Sequence, residues 1–265
     1  MLIDIGVNLS NQQFKNRIAD VLTRALSAGV EKLVLTGTSI SESQSVVALC
    51  DEYQSQFPNM LYATAGIHPH EANSWNADAY SSLKELASHS AVVAIGETGL
   101  DFNRNLSTPK EQEIAFEAQL ELSTELKMPL FLHERDAAKR QLAILVHHRE
   151  SLSKAVVHCF TGDKKTLFSY LDLDLHIGIT GWVCDERRGQ ELQKIVKNIP
   201  LNRLMVETDA PYLLPRNMTP LPKNRRNEPA FLEHIVRCIS EHREESEDVI
   251  SKMTTATALE FFELN

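Results

Sequence analysis

Four short apolar runs in this chain each lead into a residue that can ligate a metal or move a proton. Ala-Val-Val-Ala-Ile-Gly precedes Glu97, Met-Pro-Leu-Phe-Leu precedes His133, Lys-Ala-Val-Val precedes His158, and Arg-Leu-Met-Val-Glu-Thr precedes Asp209. Any one of these alone reads as an ordinary residue capping a strand; the series carries the argument. A divalent cation needs carboxylate oxygen and neutral imidazole held at fixed angles, and rigid strand ends hold them better than loops do. The pattern therefore predicts metal-dependent hydrolysis at a site assembled from separate strands at one end of a barrel. Glu97, His133 and His158 are the candidate ligands. Asp209 suits a carboxylate that also touches the metal and accepts a proton from the attacking water. Glu207 alternates onto the same side as Asp209 and is a candidate partner for it.

The residues around these four point to a phosphate-rich substrate. His68 and His70, in Gly-Ile-His-Pro-His, can orient a phosphate or protonate a leaving group, while Asp101 reads as an organiser of its loop. Arg104 follows the Glu97 run, Arg135 follows His133, and Arg187 and Arg188 follow a later strand pattern. Arg216, Lys223, Arg225 and Arg226 fall in a stretch with no acid between Asp209 and Glu228. Guanidinium groups beside a metal suit phosphodiester recognition, because each can take two nonbridging oxygens at once. Trp182, Phe160 and Tyr212 lie in the same segments, where a base could stack.

Such a site requires strands that deliver these side chains to one end. Buried-strand patterns recur at 2–5, 32–36, 61–67, 91–96, 129–132, 155–158, 175–179 and 203–207. Helical periodicity fills the gaps: a stripe of Phe14, Ile18, Val21, Leu22, Ala25 and Leu26 stopped by Gly29, a capping box at Thr108 with Pro109 and Glu111, and further helices at 41–57, 77–88, 136–148, 163–171, 187–198, 229–243 and 247–262. Strand–helix alternation on this scale predicts an α/β fold, a (β/α)8 TIM barrel of the metal-dependent hydrolase type, as a single domain over 1–265. No Gly-x-Gly-x-x-Gly follows the first strand, which counts against a dinucleotide fold. The proline-rich stretch 211–228 cannot continue a helix and reads as an ordered loop after the last strand.

Composition narrows the class. At 265 residues, 43% hydrophobic and 24% charged, the chain can build a substantial core. A net charge of −9 argues against a nonspecific nucleic-acid coating protein but leaves room for an enzyme with a locally basic mouth. Cys50, Cys159, Cys184 and Cys238 have no paired spacing and read as reduced thiols. No run is long enough to span a bilayer, and Met-Leu-Ile-Asp-Ile-Gly lacks a basic leader. The expectation is a cytoplasmic protein without membrane partners, a monomer since no association motif is visible.

Five strings together resemble the TatD family of metal-dependent deoxyribonucleases: Asp-Ile-Gly-Val-Asn-Leu, Gly-Ile-His-Pro-His, Ile-Gly-Glu-Thr-Gly-Leu-Asp-Phe, His-Cys-Phe-Thr-Gly and Glu-Thr-Asp-Ala-Pro-Tyr-Leu. The segment Gly-Ile-Thr-Gly-Trp-Val-Cys-Asp-Glu-Arg-Arg-Gly is most similar to the enterobacterial branch of that family. The resemblance implies a TIM-barrel amidohydrolase-type fold, a divalent metal, and 3'-to-5' exonuclease activity on single-stranded DNA and RNA with a link to DNA repair. By motif position it places Glu97, His133 and His158 as metal ligands and Asp209 as the catalytic carboxylate. Mg2+ is the expected metal, with Mn2+ the alternative; His68, Arg104, Arg135 and Arg225 are expected to bind the substrate. Most members of the family begin with His-x-His, where this chain has Gly6 and Asn8. Loss of both imidazoles predicts one tightly held metal rather than a bridged pair. An amidohydrolase cleaving amide or ester bonds, such as an aminoacyl-tRNA deacylase, is the alternative enzyme, and a barrel that only binds nucleic acid is the non-enzymatic one.

Overall fold

A computed structural model describes residues 1–152 and 154–264. Eight parallel strands follow one another in chain order around a single sheet: β1 (Leu2–Val7), β2 (Val30–Leu35), β3 (Leu61–Ala65), β4 (Val92–Asp101), β5 (Leu130–Arg135), β6 (Ala155–Val157), β7 (His176–Ile179) and β8 (Leu204–Val206). Between and after them lie α1 (Ile18–Ser27), α2 (Ile40–Tyr53), α3 (Ala77–Leu86), α4 (Pro109–Leu126), α5 (Ala138–His148), α6 (Lys164–Asp172), α7 (Gln190–Ile195), α8 (Leu232–Ser240) and α9 (Glu247–Phe262). This is the expected barrel, and each expected strand overlaps an observed one.

Two layers of apolar contact hold it. Ile3, Ile5, Val34, Ala94, Phe131, Val156 and Met205 face one another inside the barrel, where Phe261 and Phe262 of α9 pack against them. A larger layer, including Val21, Leu22, Val46, Phe116, Leu120 and Ile144, lies between strands and helices. Parallel strands covered on both faces read as continuous apolar runs, which is why they were visible in the sequence. The capping box is present in both halves: the Thr108 hydroxyl accepts from the Glu111 N–H, and the Glu111 carboxylate accepts from the Thr108 N–H. The first helical stripe is split, however. Phe14 is buried from a separate 3-10 turn (Gln12–Phe14), and α1 starts only at Ile18. The helix expected at 187–198 is also shorter, with α7 running on into a 3-10 turn at Val196–Asn198.

The seam between β8 and β1 closes the barrel just beyond the end of β8. Val7 bridges to Ala210, the Asp209 N–H donates to the Gly6 carbonyl at 2.9 Å, and the Asn8 N–H donates to the Ala210 carbonyl at 2.8 Å. Below these bonds the buried Asp4 carboxyl accepts from the Thr208 N–H at 2.8 Å and meets its hydroxyl at 2.5 Å. Burial, only partly offset by those bonds, pushes Asp4 up to about 8. Among the described residues, no helix is long and apolar enough to cross a membrane.

Candidate active site

Glu97 lies within β4 rather than at its end. The β4–β5 register slips between Gly96 and Thr98, and the Glu97 N–H donates to the Gly37 carbonyl at 2.7 Å instead. Gly96 has φ 141°, and a Cβ there would sit 2.2 Å from the Phe131 carbonyl oxygen. Glycine is therefore required for the bulge that turns Glu97 into the barrel mouth.

Three imidazoles converge on one oxygen of that carboxylate. His158 Nε2 is 2.7 Å from Glu97 Oε1, His133 Nδ1 is 2.8 Å away and His68 Nε2 is 3.4 Å away. His133 comes from β5, His158 follows β6 directly, and His68 follows β3. Burial alone would raise the Glu97 pKa, but charge on His158 and His68 and hydrogen bonds from His133 and His158 outweigh it and hold it well below the usual value. Burial would likewise depress His158, yet Glu97 and Glu207 hold it well above an ordinary imidazole. His133 is raised in the same way by Asp101 and Glu97, whereas burial leaves His68 lowered.

Outer contacts fix these rings. Glu207 accepts from the Cys159 N–H at 2.5 Å and lies 3.3 Å from His158 Nδ1, so it orients that ring. Phe131 stacks on the other face of His158 at a centroid distance of 4.6 Å. Asp101 organises its loop, as expected, by accepting from the Asn103 and Arg104 N–H groups. Its second oxygen lies 2.7 Å from His70 Nε2 and 3.5 Å from His133 Nε2.

Asp209 faces this cluster from the seam, three residues beyond β8, with φ 54°. Its Oδ1 accepts from the Asn8 amide at 2.8 Å. Burial and the nearby Glu207 and Glu97, countered in part by His158, push its pKa up to about 7. Gly6 lines the same wall, and a Cβ added there would meet Glu207 Oε2 at 2.3 Å. Glu207 thus fills the space into which a side chain at position 6 would project.

All of this opens into a cleft of about 760 Å³ lined by Asn8, His68, Glu97, Arg104, His133, Arg135, His158 and Asp209, among others. Of the eight residues expected as metal ligands, catalytic carboxylate or substrate-binding groups, seven line this cleft; the eighth, Arg225, is exposed and is not among the lining residues. Arg226 is also diverted, its guanidinium buried against the Gln13 carbonyl and Glu228. Trp182 does reach the cleft, flanked by the guanidinium of Arg188 at 4.3 Å and that of Arg135 at 5.8 Å from its ring centre.

The donor set fits a divalent cation. Ligand atoms of His68, Glu97 and His133 lie within 4.8 Å of one another, and His133 Nε2 is buried without a hydrogen bond. Imidazole nitrogen with carboxylate oxygen suits Mn2+, Zn2+ or Mg2+. His68, expected to orient a phosphate or protonate a leaving group, also borders the candidate metal position. The structure puts its Nε2 beside Glu97 because Nδ1 accepts from the His70 N–H at 3.1 Å and so fixes the ring.

Known proteins resemble this chain over nearly its whole length. The profile of the TatD related DNase family matches residues 3–263. The chain is 49% identical over 263 residues to the 3'-5' ssDNA/RNA exonuclease TatD of Pectobacterium parmentieri, covering 99% of this chain and 100% of that one. It is 50% identical to the protein of the same name from Erwinia billingiae, covering 99% of each. Among solved structures, a TatD homologue from Escherichia coli superposes with a TM-score of 0.89 at 26% identity, covering 100% of this chain and 98% of that one. This chain belongs to the TatD related DNase family.

Proposed function

We propose that this member of the TatD related DNase family is a metal-dependent 3'-to-5' exonuclease of single-stranded DNA and RNA. The observation that carries the reading is the convergence of three imidazole nitrogens on Glu97 Oε1, in one cleft with an Asp209 whose Oδ1 accepts from the neutral Asn8 amide.

Glu97, His133 and His158 would hold the metal, with His68 and Asp209 bordering the same space. The charge of Glu97, held ionised among these imidazoles, is what would attract a divalent ion there. When bound, such an ion supplies Lewis-acid activation of the scissile phosphate and its attacking water. Mg2+ is the proposed metal, with Mn2+ as the alternative, because the first strand contributes no imidazole to the set.

The chain's own groups do the rest. Asn8 holds Asp209 Oδ1, leaving Oδ2 to accept a proton from water as its oxygen attacks phosphorus. Burial and the neighbouring carboxylates hold this carboxyl above the usual range, which makes it a stronger base for that transfer. The P–O3' bond breaks, the 3' oxygen takes a proton, and a 5'-mononucleotide leaves a strand shorter by one residue. Arg104 and Arg135 line the cleft where they can hold nonbridging phosphate oxygens, and Trp182 offers a face for a base. A single strand enters such a cleft directly, whereas a duplex end must first unpair. Trimming of 3' ends during DNA repair is the proposed physiological setting.

Metal-titrated digestion of oligonucleotides labelled at either end tests the reading. Stepwise release of 5'-mononucleotides from the 3' end is expected. Internal cleavage, release from the 5' end, or deacylation of aminoacyl-tRNA without phosphodiester cleavage would overturn it.

A further inference from the structure

A second group of ligand-type side chains lies outside the cleft, where α8 meets the 3-10 turn that follows β7 (Gly181–Cys184). Cys238, Glu241 and His242 are spaced i, i+3 and i+4, so they share one face as the helix runs out. The helical turn continues past Ser240: Glu241 has helical dihedrals, and the His242 N–H donates to the Ile239 carbonyl at 3.0 Å. One sulfur, one carboxylate oxygen and one ring nitrogen from these residues lie within 4.8 Å of one another. The buried Cys184 offers a fourth donor beside them: it follows Val183, whose carbonyl accepts from the Cys238 thiol at 3.4 Å, at the end of the turn packed against α8.

A thiol, an imidazole and a carboxylate within 4.8 Å of one another, with a second buried thiol on the adjoining turn, are an unusual grouping for a chain with four cysteines in all. Both sulfurs are buried, Cys184 at 1% and Cys238 at 3% exposure, while Glu241 is exposed and His242 half-buried. The pocket is thus closed on the sulfur side and open to an entering ion on the other. Carbonyls at the end of a helix carry partial negative charge, which also favours a cation there.

We propose that Cys184, Cys238, Glu241 and His242 form a second metal site, selective for a zinc-class ion and distinct from the catalytic cleft. Binding displaces the two thiol protons to solvent and leaves a tetrahedral set of two thiolates, one imidazole and one carboxylate. The ion ties α8 to the turn that carries Trp182 and leads into Asp185. Cys238 already meets the 211–228 loop, through the Asn217 amide at 3.9 Å, and the Val183 carbonyl at 3.4 Å. Two cleft-bordering loops would therefore be anchored at one point, a structural role rather than a chemical one.

Co2+ titration of the reduced full-length protein, with Mg2+ in excess to occupy the cleft, reads thiolate coordination directly. One equivalent should bind with a sulfur-to-cobalt charge-transfer band and tetrahedral visible bands, and Zn2+ should displace it. Cys184→Ser and Cys238→Ser should abolish the band, while Cys159→Ser, which removes the thiol bordering the cleft, should leave it. Glu241→Ala and His242→Ala change only surface-accessible groups, so they test the donor set even if a buried serine perturbs folding; each should weaken Co2+ binding at least tenfold. Absence of the band in reduced protein, its survival in Cys238→Ser, or unchanged affinity in both surface variants would overturn the proposal.

Discussion

On the wall of the cleft built by β4, β5 and β6, Glu97 is buried among three imidazoles and stays ionised. On the opposite side, at the seam of β8 and β1, neither Asp209, which lines the cleft, nor Asp4, buried beneath it, has an ion-pair partner among the described residues, and burial pushes them up to about 7 and about 8. The two sides share Glu207, whose carboxylate lies 3.3 Å from His158 Nδ1. Burial penalises the charged form on both; the difference is whether neighbours answer it. One wall is arranged to hold positive charge, and the other keeps a carboxyl near its midpoint, ready to take a proton.

The hardest test of that contrast is removal of its first wall. Glu97→Gln keeps the shape but cancels the charge that organises His68, His133 and His158. It should abolish metal-dependent turnover and cut metal affinity by more than the ~10–100-fold expected for an outer contact. Near wild-type turnover at saturating metal would remove Glu97 from the ligand set.

Asp209→Asn tests the other wall. If Asp209 acts as the base, kcat should fall by about 10²–10⁴ while the Kd for a single strand and for the metal changes little. Collapse of metal binding together with turnover would instead place Asp209 among the principal ligands.

Gly6→His probes the shared carboxylate. A side chain at position 6 would collide with Glu207 Oε2, so the substitution should expel Glu207 from His158 rather than build a second metal centre. A destabilisation of about 1–3 kcal/mol is expected from overpacking, with no gain in metal stoichiometry even alongside Asn8→His. Two tightly bound ions in that double variant, measured by elemental analysis after dialysis, would show that Glu207 yields.

The walls should also differ in pH. Raised carboxyl groups stabilise the fold while protonated, and that contribution is lost as pH rises through the folded value. Metal-free protein should therefore lose Tm as pH rises from the ordinary carboxyl range near 4, levelling off past about 7 for Asp209 and about 8 for Asp4, and Asp209→Asn should make the fall below about 7 shallower. Glu97 has the opposite sign: its contribution disappears only on acidification through its depressed value. A divalent cation should lower the Asp209 value and remove its share of that fall, leaving the part due to Asp4. A metal-free Tm that is flat across this range would contradict the contrast.

The smallest effect is expected from Arg135→Ala, which removes a cleft arginine from neither wall's chemistry. KM should rise with kcat nearly unchanged, and the salt slope of binding should fall by about 1. Arg225→Ala, outside the cleft lining, should change neither.

Much of this enzyme was legible in one dimension. Eight buried strands and the helices between them follow from local apolar periodicity, and Glu97, His133, His158 and Asp209 stood out because each follows such a run. What the sequence could not show are relations across the closed barrel. Asn8 meets Asp209 from 201 positions away, Glu207 occupies the space over Gly6, and His68 joins His133 and His158 at a single oxygen. Arg225 and Arg226 have the charge expected of substrate contacts, yet one sits outside the cleft and the other is consumed by Gln13 and Glu228. Periodicity depends on near neighbours along the chain, so sequence determined the strands and the types of side chain they deliver. Which carboxyl finds a cation and which is left to hold a proton depends on distances set only when β8 closes against β1, and that was decided by the tertiary structure.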